Sequence, residues 1–177
     1  MNPKLSAVLQ ERPELELAIE VSVSGQFCEL FGRDGKLLRR YAVSTAAAGV
    51  NANEGSFGTP PGLHRIAERI GEGVDKGMCF VGRVPTGEMA DIEGSPPDCR
   101  TEGDFILSRI LWLEGLEPGL NHGEGIDSRQ RYIYFHGTNE EYLIGKEASH
   151  GCIRMNNDDV IELFDQVVVG TPVYIAP

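Results

Sequence analysis

Tyr134-Phe135-His136-Gly137-Thr138, followed by Ser149-His150-Gly151-Cys152-Ile153-Arg154-Met155, is the stretch on which the reading of this chain turns. Two histidines and one cysteine fall in a 17-residue window, with glycines beside His136 and Cys152. A cysteine thiol has an unperturbed pKa of about 8.5, so only a few per cent is thiolate at neutral pH. Nucleophilic chemistry therefore needs an imidazole to take the proton and backbone N–H groups to hold an oxyanion. The spacing predicts a strand ending in His136, a loop, and a tight turn presenting Cys152. His136 reads as the base, but His150 is a second imidazole near the same thiol and leaves that choice open. Gly151 and Cys152 supply the N–H donors, and a side chain at Gly151 would obstruct the backbone's approach to a substrate.

Working outward, Asn156 or Asn157 is placed to cap a helix whose first turn holds Asp158 and Asp159. Val160, Ile161, Leu163, Phe164, Val167 and Val168 recur at helical spacing, Gly170 closes the helix, and residues 172–176 form a last strand. Residues 129–135 read as the strand that delivers His136. At the other end, residues 4–12 suggest a short helix with Leu5, Val8 and Leu9 on one side. From Leu15 to Val23 the period becomes two, which is a half-buried strand, and turns at Ser24-Gly25 and Arg33-Asp34-Gly35 set two more strands beside it. Residues 63–67 add another. Residues 71–130 are rich in Gly, Pro and charge, with little periodicity outside 105–113, and read as a lid or substrate-binding loop. The expected fold is mostly β (α+β), a β-sandwich or barrel of mixed sheets with one principal helix after the cysteine, in a single domain spanning 1–177.

The composition, 41% hydrophobic and 24% charged, is that of a globular chain. A net charge of −11 disfavours nucleic acid or an anionic membrane as partner, since both would be repelled. The first twenty residues hold no apolar run of the length a secretory signal needs, and no later stretch approaches a membrane span, so a cytoplasmic location is expected. Zinc is weighed on His136, His150 and Cys152 and set aside, because no second ligand pair stands at the usual spacing; no metal and no cofactor are expected. Cys28, Cys79 and Cys99 read as packing residues, His64 as structural, and Trp112 as a core or interface residue.

The order HGT, Ile144-Gly145, SHGCIRM, an Asp-led helix and a Gly170-Thr171-Pro172-Val173 ending resembles the YkuD-type L,D-transpeptidase family, with Gly58-Thr59-Pro60-Pro61-Gly62 similar to its TPxG turn. The resemblance covers roughly residues 15–176. It implies a Cys152 nucleophile, His136 as base, and the Gly137 carbonyl holding the other nitrogen of His136. Arg154 stands where many members carry Asn; its planar fork suits a substrate carboxylate, or it forms an internal salt bridge. Ser149 and Thr138 are further candidates, for bonds within the loop and for substrate contact. The substrate class implied is the peptidoglycan stem peptide, as tetrapeptide or muropeptide, cut between meso-diaminopimelate and D-alanine. The expected outcome is hydrolysis by a cytosolic L,D-carboxypeptidase in recycling. The alternatives are an exported L,D-transpeptidase making 3→3 cross-links and a catalytically idle fragment-binding protein.

Overall fold

A computed structural model describes residues 1–92 and 104–177. Cys99 and residues 93–103 of the expected lid lie outside the described residues. The chain opens with helix α1 (Pro3–Glu11), followed by β1 (Leu17–Ser22), β2 (Phe27–Gly32), β3 (Leu37–Ser44) and β4 (Gly62–Ile70). Then come β5 (Met78–Val81), β6 (Val84–Met89), β7 (Ile106–Gly115), β8 (Tyr134–Gly137), β9 (Ile153–Met155), α2 (Asn157–Gln166) and β10 (Pro172–Ala176). The order β4-β10-β1-β2-β3-β9-β8-β7 closes on itself because β7 also pairs with β4, and the β5–β6 hairpin continues off β7. Eight staves thus form a mixed, mostly β barrel, the architecture expected, with β1–β10 and β8–β9 as its parallel pairs. Among the described residues no helix is long and apolar enough to cross a membrane.

Alternation decides which residues fill the barrel. Ile19, Val21, Leu30, Val43, Leu111, Leu113, Phe135, Ile153 and Met155 point inward, and Val160, Leu163 and Phe164 of α2 join them. The outer side of β1 is also covered: Leu5 and Leu9 of α1 pack on Leu15 and Ala18. A third cluster of Phe80, Ile110 and Tyr134, with Trp112 and Cys152 against it, lies beneath the β5–β6 hairpin. Burying an aliphatic or Phe side chain contributes about 1.5–3 kcal/mol, so this layering accounts for much of what holds the staves together.

Two expectations need correction. Residues 71–130 are not one irregular lid: they contain β5, β6 and the ten-residue stave β7. The hairpin turns at Gly82-Arg83, where both residues have positive φ, 55° and 68°, the geometry of a two-residue hairpin turn. It escapes a pattern search because every residue of β6 is exposed, leaving no alternation to see; Pro85 is tolerated because β6 is an edge strand. The strand before His136 begins at Tyr134 rather than at 129, since residues 129–132 form turns that end in Tyr132 at φ 56°.

Candidate active site

Strands β8 and β9 run parallel, with Phe135 opposite Ile153 and His136 opposite Arg154. Phe135 and Ile153 face the core, so period-two alternation sends Tyr134, His136, Cys152 and Arg154 to the opposite face. The sequence thereby delivers nucleophile and imidazole to one side of two adjacent staves. His136 is 1% exposed, and its Nδ1 lies 2.7 Å from the Gly137 carbonyl oxygen. A carbonyl only accepts, so Nδ1 carries the proton and Nε2 is left as the base. Gly137 is required by close approach: a Cβ there would stand 2.2 Å from Asn157 Oδ1 and 2.9 Å from the Leu107 carbonyl oxygen.

Cys152 is half-buried and its Sγ donates to the Tyr132 carbonyl oxygen at 3.3 Å. Burial of the sulfur pushes the thiol up to about 12; a backbone hydrogen bond at Tyr134 and the nearby Arg154 and Arg131 pull the other way, while the Asp104 carboxylate adds to the rise. Burial likewise holds His136 below the ordinary imidazole value, opposed by the Asp104 carboxylate and the Gly137 carbonyl. Both directions favour a neutral thiol beside a neutral imidazole at rest, so the proton must move as the sulfur attacks.

The turn before Cys152 is fixed from three sides. Ser149 Oγ donates to the Cys152 carbonyl oxygen at 2.6 Å and accepts from the Gly151 N–H at 3.2 Å. The 45–47 backbone brackets the same turn, with Ser149 N–H donating to the Thr45 carbonyl and Ala47 N–H to the Ser149 carbonyl, each at 2.9 Å. Thr59 Oγ1 accepts from Ala46 N–H and donates to the Gly151 carbonyl, each at 3.0 Å. Gly151 sits at φ 126°, where a Cβ would be 3.2 Å from the Gly58 carbonyl oxygen; a side chain is thus disfavoured by backbone geometry as well as by substrate approach. Since Ser149 engages the Gly151 N–H, the Cys152 N–H is the donor best placed for an oxyanion.

The remaining sequence candidates separate. His150 is exposed, with its Nδ1 3.5 Å from Asp104 Oδ2 and an edge contact to Phe57, whereas His136 is enclosed beside the thiol's strand. Arg154 is 1% exposed and forms ion pairs with Asp104 and, at 2.9 Å, with Glu140; the internal salt bridge that the sequence left open is the arrangement present. Thr138 serves the loop: its hydroxyl accepts from Glu140 N–H at 3.0 Å and its carbonyl from Asn157 Nδ2 at 2.9 Å. His64, fully buried between the Gly62 carbonyl and Ser128 Oγ, is structural. Trp112 lies on the outer face instead of the core, tilted against Tyr132 and beneath Arg83.

Sequence reasoning missed five contributors. Thr59 was visible only as part of a turn. Asp104 adjoins the undescribed segment. Asn157 was read as a possible cap, yet its side chain ties α2 to Thr138, Glu141 and Ser108. Tyr132 and Arg131 were assigned to a strand. Among the described residues no cluster of three or more His, Cys, Asp or Glu is arranged to hold a metal.

Known proteins resemble this chain in sequence and fold. The family model for the YkuD L,D-transpeptidase catalytic domain matches residues 16–175. The putative L,D-transpeptidase YqjB of Bacillus subtilis is 53% identical over 96 residues, 46% of this chain and 54% of that protein. The probable L,D-transpeptidase ErfK/SrfK of Escherichia coli is 53% identical over 45 residues, 25% of this chain and 14% of that protein. The chain thus spans about half or less of the curated relatives it matches. L,D-transpeptidase 3 from Mycobacterium tuberculosis, solved with a faropenem-derived adduct, superposes with a TM-score of 0.56 at 14% identity, covering 92% of this chain and 61% of that one. Identity that low speaks to the fold, and the fold agrees; with the family model matched from residue 16 to residue 175, the chain belongs to the YkuD family of L,D-transpeptidase catalytic domains.

Proposed function

We propose that this domain performs cysteine-dependent acyl transfer on peptidoglycan stem peptides, at the bond between the L-centre of meso-diaminopimelate and D-alanine. The observation that carries this is the placement of Cys152 and of a His136 whose Nδ1 is fixed at 2.7 Å by the Gly137 carbonyl, on one face of two parallel neighbouring staves. His136 Nε2 takes the thiol proton as Sγ bonds to the substrate carbonyl carbon, and the oxyanion is received by the Cys152 N–H. The C–N bond then breaks, His136 returns the proton to the departing amine, D-alanine leaves, and a thioester remains. Water attacks the thioester with its proton passing to His136, which then reprotonates the sulfur.

Hydrolysis to the tripeptide is the outcome we favour over 3→3 transfer. Among the described residues the groove lined by Phe57, Arg131, Tyr132 and His150 holds about 300 Å³, the lower end for a small-molecule site, which suits a single peptide arm. The test is incubation with a disaccharide tetrapeptide, followed by mass spectrometry, with Cys152→Ala as control. Loss of one D-alanine is expected. Cross-linked dimers, or exchange of D-alanine for an added D-amino acid, would replace hydrolysis with transpeptidation. Absence of any Cys152-dependent product would overturn the acyl-transfer reading.

A further inference from the structure

Arg154, the cation that the sequence nominates for a substrate carboxylate, is committed to Asp104 and Glu140. Arg131 is differently placed. Its Nη1 donates to the Ala52 and Asn51 carbonyls at 2.9 and 3.2 Å, and its Nη2 to the Gly58 carbonyl at 2.8 Å with Ser56 Oγ at 3.5 Å. These acceptors fix the guanidinium but are neutral, and Glu54, on the same groove, acts on its charge without forming an ion pair with it. Among the described residues Arg12, Arg39, Arg40, Arg65 and Arg129 each pair with a carboxylate, whereas Arg131, like Arg33, Arg69, Arg83 and Arg109, is held by neutral acceptors.

That charge stands at the nucleophile. Nη2 lies 3.9 Å from where a Cβ on Gly151 would be, and Arg131 lines the same groove as Phe57, Tyr132 and His150. Tyr132 is also the residue whose carbonyl takes the Cys152 thiol. Phe57 and Tyr132 both sit at φ 56°, a left-handed conformation that is unfavourable for a bulky residue and persists where the surroundings impose it. The 51–58 loop that carries Phe57 is the one Arg131 ties down, so one side chain both braces a wall of the groove and charges it.

We propose that Arg131 receives the terminal carboxylate of the substrate's departing D-amino acid, in the groove beside Cys152. This rests on the acyl-transfer reading above. In a peptide ending in a D-residue, three bonds separate the attacked carbonyl carbon from the carboxylate carbon, so the two lie within about 4 Å of each other. A cation that recognises the carboxylate must therefore adjoin the nucleophile, and a guanidinium already held rigid loses little freedom on taking a carboxylate. The loose Ser56 contact leaves an Nη2 proton to offer. Specificity for a free terminal carboxylate over an extended chain follows.

The test uses two alkylating agents of nearly equal size, iodoacetate and iodoacetamide, which differ in one carboxylate. Each forms the same S–C bond with release of iodide, and the rates at Cys152 are read by peptide mass spectrometry at one pH, so the thiolate fraction cancels in their ratio. Arg131→Met is expected to lower the iodoacetate-to-iodoacetamide ratio about three- to tenfold, the size of a partly screened unit charge at close range, and Arg131→Lys to retain most of it. A merely bracing role would slow both reagents together and leave the ratio unchanged, which overturns the proposal. In the unaltered protein, a tetrapeptide ending in D-alanine amide should show a KM raised by a similar factor; equal KM values would also overturn it. If the alkylation ratio falls while no stem peptide is cleaved, the carboxylate site stands and the acyl-transfer reading fails.

Discussion

Replacing Thr59 by valine should loosen the catalytic turn while keeping the core filled. Thr59 is fully buried, and its hydroxyl links the Ala46 N–H to the Gly151 carbonyl, each at 3.0 Å. Valine has nearly the same shape but neither donates nor accepts, so two main-chain groups lose this partner away from water. Each stranded group costs about 1–3 kcal/mol, and carbonyls are somewhat less costly to strand than N–H groups, so about 3 kcal/mol is expected in all. In urea, with a slope of about 2 kcal/mol per molar, the unfolding midpoint should fall by about 1.5 M. Thr59→Ser keeps the hydroxyl and loses one methyl, at a cost of about 1 kcal/mol. Because Gly151 carries the backbone into Cys152, kcat of the valine variant should fall tenfold or more, as expected for a reacting group displaced by a fraction of an ångström. A valine variant within about 0.5 kcal/mol of the parent, where unremarkable substitutions fall, would show that Thr59 does not hold the turn.

Kinetics of two alanine variants separate the histidines: His136→Ala should lose about 10³-fold in kcat, within the range for general acid–base catalysis, and His150→Ala less than tenfold, whereas the opposite ranking would make His150 the base. Arg154→Met leaves the buried Glu140 without its cation and should cost about 3–5 kcal/mol in chemical denaturation, with Glu140→Gln in the same chain recovering a good part; no recovery would mean the pair is not the source. Burial lowers His64 to about 4, so the unfolded chain, titrating near 6.5, binds the proton first. Stability should be unaffected by this group above pH 6.5 and decline between 6.5 and 4 by up to about 3 kcal/mol, a slope that His64→Gln should flatten in urea titrations across that range.

Much of the fold was legible because its signals are local. The alternation in residues 17–22, the turns after β1 and β2, and the helical stripe from Val160 to Phe164 each read correctly in isolation. Placing His136 at a strand end and Cys152 after a tight turn needed only glycines and spacing. What escaped depends on partners far along the chain. The bulge at Ser108 and Arg109 breaks the period of β7, and β6 shows no pattern because nothing covers it. Whether Arg154 meets a substrate or an acid turns on Glu140 and Asp104, and ion-pair choice leaves no trace in spacing. The ties from Thr59 and Arg131 reach across 92 and 73 residues, and no local pattern announces a hydrogen bond of that span.

The parallel pairing of β8 and β9 works like a reading frame with a period of two. On each stave one set of alternate residues is oil and the other is chemistry: Phe135 and Ile153 against His136 and Arg154. Adding or deleting a single residue inside 134–137 or 152–155 would turn the imidazole or the thiol into the packed interior and set an aliphatic group in its place. Segments between the staves carry no such phase, so length changes there leave it intact. Inheritance of this domain is therefore free to lengthen or trim its loops, yet bound to conserve the parity of a few residues in each of two short strands.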